Sequence, residues 1–166
     1  MEDEVDRIVA AWSRERPDLD VAPLAVLSRV SRFARHLDLA RREAFAGHGL
    51  EPWEFDVLAA LRRAGRPYAL SPGQLLTQTL VSSGTMTNRI DRLAGRGLVE
   101  RGPAPRDRRG VLVRLTAGGR DRVDAALTGL LERERALLAG LDRDESQLLS
   151  DLLRRLVMPF DAATPG

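Results

Sequence analysis

Apolar residues recur at helical spacing over most of the chain and at strand spacing over one short stretch. Val5, Ile8, Val9 and Trp12 fall at i, i+3, i+4 and i+7, one stripe of an amphipathic helix from Val5 to Arg16. Pro17 disfavours helix at the residue before it, and the pattern breaks over Arg16 to Asp20. A second helix is predicted from Pro23 to Ala46, ended by Gly47 and Gly49, and a third from Pro52 to Ala64, ended by Gly65 and Pro67. Ser71-Pro72 reads as an N-cap with Pro in the first helical position, opening a short helix to Thr79. After a turn at Leu80 and Val81, Ser82 caps a helix to Gly95 or Arg96.

The period then changes. Leu98 to Arg101 suits a short strand, Gly102-Pro103-Ala104-Pro105 is expected to exclude regular structure, and Val111 to Leu115 alternates as a second strand. Val111, Val113 and Leu115 share one face of it, opposite Leu112 and Arg114. Together they predict a β-hairpin around a basic loop. Thr116 caps a long helix to Ala139, with Val123, Leu127, Leu130 and Leu131 on its apolar side. Asp142 and Glu145 form a capping-box pattern before a last helix expected to bury Leu148, Leu149, Leu152 and Leu156. The tail beyond Pro159 is expected to fray. The fold class is therefore mainly α with one small β-hairpin.

The helix after Ser82 has two contrasting sides. Projected at about 100° per residue, Met86, Ile90 and Leu93 define its buried side, and Thr85, Asn88 and Arg92 cluster opposite. Small hydroxyl and amide groups with one long cation suit a helix lying in a DNA major groove, where they reach base edges and phosphates. The preceding short helix, with Leu75 and Leu76 turned inward, would brace it in a helix-turn-helix. Such an exterior also suits a plain solvated face. The hairpin loop argues for the first reading, because Arg106, Arg108 and Arg109 stand beside a single acid, Asp107, and such a tip can reach a minor groove.

Composition narrows the alternatives. The 166 residues suit one domain with a real core. All 26 cationic side chains are Arg, and the net charge is only +2, so local clustering carries more than the total. There is no cysteine and there are only two histidines, His36 and His48, so no metal, thiol chemistry or cofactor is expected. No apolar run reaches the roughly 18 residues of a membrane span and the acidic N-terminus is no signal peptide, so a cytoplasmic protein without a membrane partner is expected. No Gly-rich phosphate loop, nucleophile elbow or metal-ligand spacing is present, and no enzyme is expected. A structural helical dimer without DNA function is the remaining rival; an Arg-tipped hairpin serves no purpose in it.

The run Ser82-Ser83-Gly84-Thr85-Met86-Thr87-Asn88-Arg89-Ile90-Asp91-Arg92-Leu93, then Gly97-Leu98-Val99-Glu100-Arg101, then Asp107-Arg108-Arg109 and Leu115-Thr116, resembles the signature of the MarR family over nearly the whole chain. The resemblance implies a winged helix-turn-helix on a helical dimerisation region, the hairpin being the wing. Residues 1–50 and 116–160 would form the dimerisation region of a single domain spanning 1–166, and residues 51–115 the DNA-binding lobe. It implies a homodimer on double-stranded DNA with a pseudo-palindromic operator, contacted by Ser82, Ser83, Thr85, Thr87, Asn88, Arg92, Arg106, Asp107, Arg108 and Arg109, with Asp107 orienting Arg109.

The extra N-terminal helix is similar to that of the TamR-like and urate-responsive branches of the family (HucR, PecS and MftR among the latter). Trp12, Asp56 and Arg89 match the three ligand-pocket positions of those branches. Arg89 projects about 60° from the buried stripe, from where its guanidinium could turn inward to an anion. A small organic anion is therefore the expected effector, and the expected protein is a repressor that loses DNA affinity on binding it. Gln74 stands where urate-responsive members carry an acid, which favours a tricarboxylate such as aconitate or citrate over urate. Read without the resemblance, Trp12 is a packing residue, Asp56 a partner for Arg62 or Arg63, and Arg89 a phosphate contact.

Overall fold

A computed structural model describes residues 2–79, 83–104 and 107–161, and of residues 83, 104 and 107–109 the backbone alone. The chain divides into two compact units, Met1–Arg41 and Arg42–Gly166. Its elements are α1 (Glu4–Glu15), α2 (Ala22–Ala46), α3 (Pro52–Arg63), β1 (Ala69–Leu70), α4 (Pro72–Thr79), α5 (Ser83–Gly95), β2 (Val99–Ala104), β3 (Asp107–Leu115), α6 (Ala117–Leu137) and α7 (Arg143–Asp161).

In the first unit a capping box opens α1. The Asp3 carboxylate accepts the Asp6 N–H at 3.0 Å, and the Asp6 carboxylate accepts the Asp3 N–H at 2.9 Å. Arg29 of α2 donates to both carboxylates, at 2.9 and 3.0 Å to Asp3 and 2.7 Å to Asp6. One guanidinium thus ties the start of α1 to α2. The predicted apolar stripe of α1 is buried only at Val5, whereas Ile8 and Val9 are half-buried and Trp12 is 50% exposed.

The second unit is built around α3. Its Val57, Leu58, Ala60 and Leu61 are fully enclosed, because α4, α6 and the sheet cover it on several sides. Phe45 stacks on Phe55 with ring centroids 4.1 Å apart, and Met86, Ile90, Leu93, Leu98, Val113, Val123 and Leu130 complete the core. Arg62 donates from two nitrogens to Asp124, at 2.8 and 3.1 Å, and so joins α3 to α6. Asp124 is thus the partner of Arg62, where the sequence offered Asp56.

Three strands form an antiparallel sheet in the order β1-β3-β2. The two-residue β1 was not expected: with so few residues it carries no alternation, and only its pairing to Val113 and Arg114 makes it a strand. Gly102, Pro103 and Ala104, expected to exclude regular structure, belong to β2. Strand β2 is an edge, so Pro103 can lack its N–H without breaking a ladder, and the register slips right after it. Strand β3 accordingly begins at Asp107 rather than Val111, and the hairpin connection is shorter than expected.

The predicted caps at Ser71, Thr116 and Asp142 hold, and the one predicted at Ser82 lies outside the described residues. Ser71 Oγ accepts the Gln74 N–H at 3.2 Å while Gln74 Oε1 accepts the Ser71 N–H at 2.8 Å, so Gln74 closes the start of α4. Asp142 and Glu145 cap α7 reciprocally at 2.9 Å. Thr116 does more. Its hydroxyl donates to the Gly97 carbonyl at 2.8 Å and accepts the Gly119 N–H at 3.0 Å, while its own N–H donates to the Leu98 carbonyl at 3.2 Å. Gly97 makes the turn behind α5 at φ +68°, a left-handed conformation suited to glycine. Gly119 lets α6 approach so closely that a Cβ there would sit 2.0 Å from the Leu98 carbonyl oxygen.

Helix α7 departs from its expected burial. Leu148, Leu152 and Leu156 are 59%, 45% and 53% exposed and Leu149 is half-buried, because nothing among the described residues of this unit covers this face. Leu127 and Leu131 of α6 are likewise about two-fifths exposed, beside buried Val123 and Leu130.

Two outcomes follow from these joints. Gly119→Ala should lower stability by about 1–3 kcal/mol, read as a drop in the urea midpoint, because backbone must move to admit the methyl. Hydrogen bonds hold both carboxyls of the α1 capping box below the usual aspartate range: first Arg29 and then the capping N–H for Asp3, first the Asp3 N–H and then Arg29 for Asp6. A carboxyl depressed on folding contributes stability above its unfolded value and loses it as pH falls through the folded one. Amide protection factors in α1 should therefore fall selectively as pH drops from about 4 toward 2, and Arg29→Ala should weaken that pH dependence, leaving the part due to the capping N–H groups.

Candidate nucleic-acid interface

Helix α5 is set by its inner face. Met86, Ile90 and Leu93 are 1%, 1% and 0% exposed, and Leu75 of α4, fully buried, packs in the same core with half-buried Leu76 beside it. Seating those apolar residues turns Thr85, Thr87, Asn88 and Arg92 to the exposed outside, as the helical projection requires.

An ion pair between a buried carboxylate and a partly exposed guanidinium locks the far end of this helix. Glu54, in the first turn of α3, is 2% exposed, and both its carboxylate oxygens lie 2.5 Å from Arg96 Nη1. The carboxylate also accepts the Glu51 N–H at 3.0 Å, and Arg96 Nη2 donates to the Gly49 carbonyl at 2.7 Å. Every buried polar atom in this arrangement has a partner, the condition under which a buried charge is tolerated. Neither residue was singled out from sequence. The available signal was an acid in the first turn of a helix inside the run Trp53-Glu54-Phe55, with an Arg standing just before the helix-ending Gly97.

The other end of the exterior carries an aromatic platform. The guanidinium carbons of Arg89 and Arg92 lie 5.4 and 4.8 Å from the centroid of the Trp53 ring. The indole N–H donates to Glu51 Oε2 at 2.7 Å, and Glu51 Oε1 lies 3.5 Å from Arg92 Nη2. Trp53, Gly84, Thr85, Asn88, Arg89 and Arg92 line one open hollow. Asp56 lines another, with Arg63, Gln78 and Thr79. Trp12 belongs to the other compact unit. Of the three expected ligand residues, then, Asp56 and Arg89 stand in the same unit at separate hollows, and Arg89 faces Trp53. Ser82 and Arg106 lie outside the described residues, as do the side chains of Ser83, Asp107, Arg108 and Arg109. Among the described residues no cluster of His, Cys, Asp and Glu could hold a metal ion, and no helix is long and apolar enough to cross a membrane.

Comparison with known proteins meets this geometry. Residues 48–110 match a family model described as the MarR family. The chain is 39% identical over 153 residues, 92% of its own length and of the relative's, to the HTH-type transcriptional regulator PecS of Dickeya dadantii. It belongs to the MarR family. Two solved structures align with its fold. A MarR variant from E. coli in complex with operator DNA gives a TM-score of 0.68 at 30% identity, covering 82% of this chain and 95% of that one. Bordetella bronchiseptica BpsR, described with regulation of its DNA binding by 6-hydroxynicotinic acid, gives 0.64 at 30% identity over 79% and 91%. This MarR-family chain is thus a transcription regulator with a winged helix-turn-helix: α4 and α5 form the helix pair, and β2 and β3 the wing.

The clamp on α5 yields a stability cycle. Arg96→Leu strands a buried carboxylate and should cost about 3 kcal/mol in urea denaturation. Adding Glu54→Gln should recover part of that loss, whereas independent sites would make the two costs add.

Proposed function

We propose that the protein is a homodimeric repressor that grips a pseudo-palindromic operator with α5 and the wing of each subunit and releases it on binding a small organic anion. The observation that carries the reading is the division of α5 into an apolar inner face, buried to 1% or less at Met86, Ile90 and Leu93, and an exposed Thr85, Thr87, Asn88 and Arg92 exterior. In this reading Thr85, Thr87 and Asn88 reach base edges and Arg92 a base or phosphate, while Ser82, Ser83, Arg106, Asp107, Arg108 and Arg109 contact the backbone and minor groove. Residues 51–115 are the DNA-binding lobe of one domain spanning 1–166, and residues 1–50 and 116–160 form its dimerisation region.

Dimerisation is supported by apolar side chains left exposed among the described residues. Val26, Leu27, Val30 and Phe33 of α2 are 42–60% exposed, and Leu148, Leu152, Leu156 and Phe160 of α7 are 45–74% exposed. Large apolar side chains grouped on one helix and exposed to this degree are the kind of surface that associates. A dimer holds two reading helices about 34 Å apart, one turn of duplex, so an effector that prefers another spacing attenuates binding by its differential affinity.

For the effector, Trp12, Asp56 and Arg89 are proposed as ligand residues, with a tricarboxylate such as aconitate or citrate first and urate second. A guanidinium favours an anion, and Gln74, occupied in capping α4, supplies no second acid. BpsR offers a relative whose DNA binding answers to a small acid.

Electrophoretic shifts with fragmented genomic DNA, titrated with citrate, aconitate and urate, test the reading. A shift weakened by salt and by one of these anions is expected; a protein that shifts no fragment at low ionic strength would overturn it. Asn88→Ala should change which sequences are preferred, and Arg109→Ala should weaken all of them with a salt slope reduced by about one. Arg89→Ala should remove the anion response. Leu152→Glu with Leu156→Glu should yield a monomer in sedimentation that no longer binds tightly.

A further inference from the structure

Glu51 and Trp53 stand at the edge of the reading helix without belonging to it. Trp53 is half-buried and packed on the core of the lobe, so its ring is a fixed platform, and its N–H is anchored on Glu51 at 2.7 Å. Arg89 and Arg92, three residues apart on α5, project from one side of the helix toward that ring. Both guanidiniums lie within the roughly 6 Å at which a cation is drawn to an aromatic face. Long side chains that would otherwise sample many rotamers are thereby held beside the exposed Thr85 and Asn88 before any duplex arrives, and ordering done in advance is not lost on binding.

Glu51 acts on the same pair with the opposite sign. Its carboxylate serves the indole with one oxygen and reaches Arg92 with the other at 3.5 Å, both side chains being more than half exposed, at 59% and 57%. A pair so long and so solvated is weak and yields to a phosphate that accepts from the same guanidinium. Until then it neutralises one cation of the reading surface.

We propose that Trp53 and Glu51 are positioning residues for DNA recognition: the indole presets Arg89 and Arg92, and the Glu51 carboxylate competes with DNA phosphate for Arg92. This rests on the DNA-binding reading above. Trp53 therefore governs how much tighter the correct duplex binds than a wrong one, and Glu51 governs affinity for any duplex.

The test uses the full-length protein, a labelled duplex that the wild type selects from a randomised library, and a scrambled duplex of the same composition, read by fluorescence anisotropy over a salt series. Trp53→Leu should lose about tenfold on the selected duplex with little change on the scrambled one, and Trp53→Phe, which keeps a ring face, should recover most of that loss. Glu51→Gln keeps an acceptor for the indole and removes the charge; it should tighten both duplexes roughly threefold and steepen the salt dependence. The side-chain Nε–H resonances of Arg89 and Arg92 in the free protein should lose their ring-current shift in Trp53→Leu at an unchanged melting temperature. Equal losses on both duplexes in Trp53→Leu, or a Glu51→Gln protein that binds like the wild type, would overturn the proposal while leaving DNA binding intact. A wild type that selects no duplex would overturn the DNA-binding reading and this inference with it.

Discussion

The contact between Glu54 and Arg96 decides where the reading helix points. An amphipathic helix of 13 residues with three large buried side chains can roll or slide on an apolar bed, since dispersion and water exclusion have little directional preference. A carboxylate enclosed to 2% exposure has no such latitude, because it must meet its cation or carry an unpaired charge inside protein. Arg96 extends from the end of α5 and also holds the Gly49 carbonyl, so helix α3, the loop before it and the end of α5 meet at one guanidinium. The apolar core decides that α5 docks; the ion pair decides in which register. A regulator needs the second more than the first, since base edges are read over distances of an ångström.

The lobe is thus rigid where it would meet DNA and unfinished elsewhere. Arg62 and Asp124 tie α3 to α6, and Thr116 ties α6 to the wing. By contrast α7 shows no buried residue, and the exposed apolar side chains concentrate on α2, α6 and α7. A chain that buries only part of its amphipathic faces keeps apolar surface whose burial would stabilise it further.

Most of the fold was legible because it is written in local chemistry. Ser71, Thr116 and Asp142 each cap the helix predicted for them, and Met86, Ile90 and Leu93 are buried as their spacing requires. What was not legible depends on partners distant in sequence. Pro103 lies in a strand because that strand is an edge, and Ala69–Leu70 is a strand because β3 lies beside it. The apolar spacing of α7 reads correctly as a face, but spacing cannot say whether the cover comes from the same chain. The site shows the same boundary. The exterior of α5 follows from period alone, whereas Glu54 with Arg96 and Trp53 with Arg89 and Arg92 bring together residues about 40 positions apart. Asp56 and Arg89, matched by resemblance, stand at separate hollows of the lobe.

At Gly119 the absent side chain fuses two parts that would otherwise articulate. With the α6 backbone pressed onto the Leu98 carbonyl and Thr116 stitched to the same stretch, no soft layer of side chains lies between the helix and the start of β2. A layer of methyls would absorb small movements; bare backbone does not. The start of the helix and the start of the ribbon are therefore joined as one piece, with no space between them for a side chain to take up a shift.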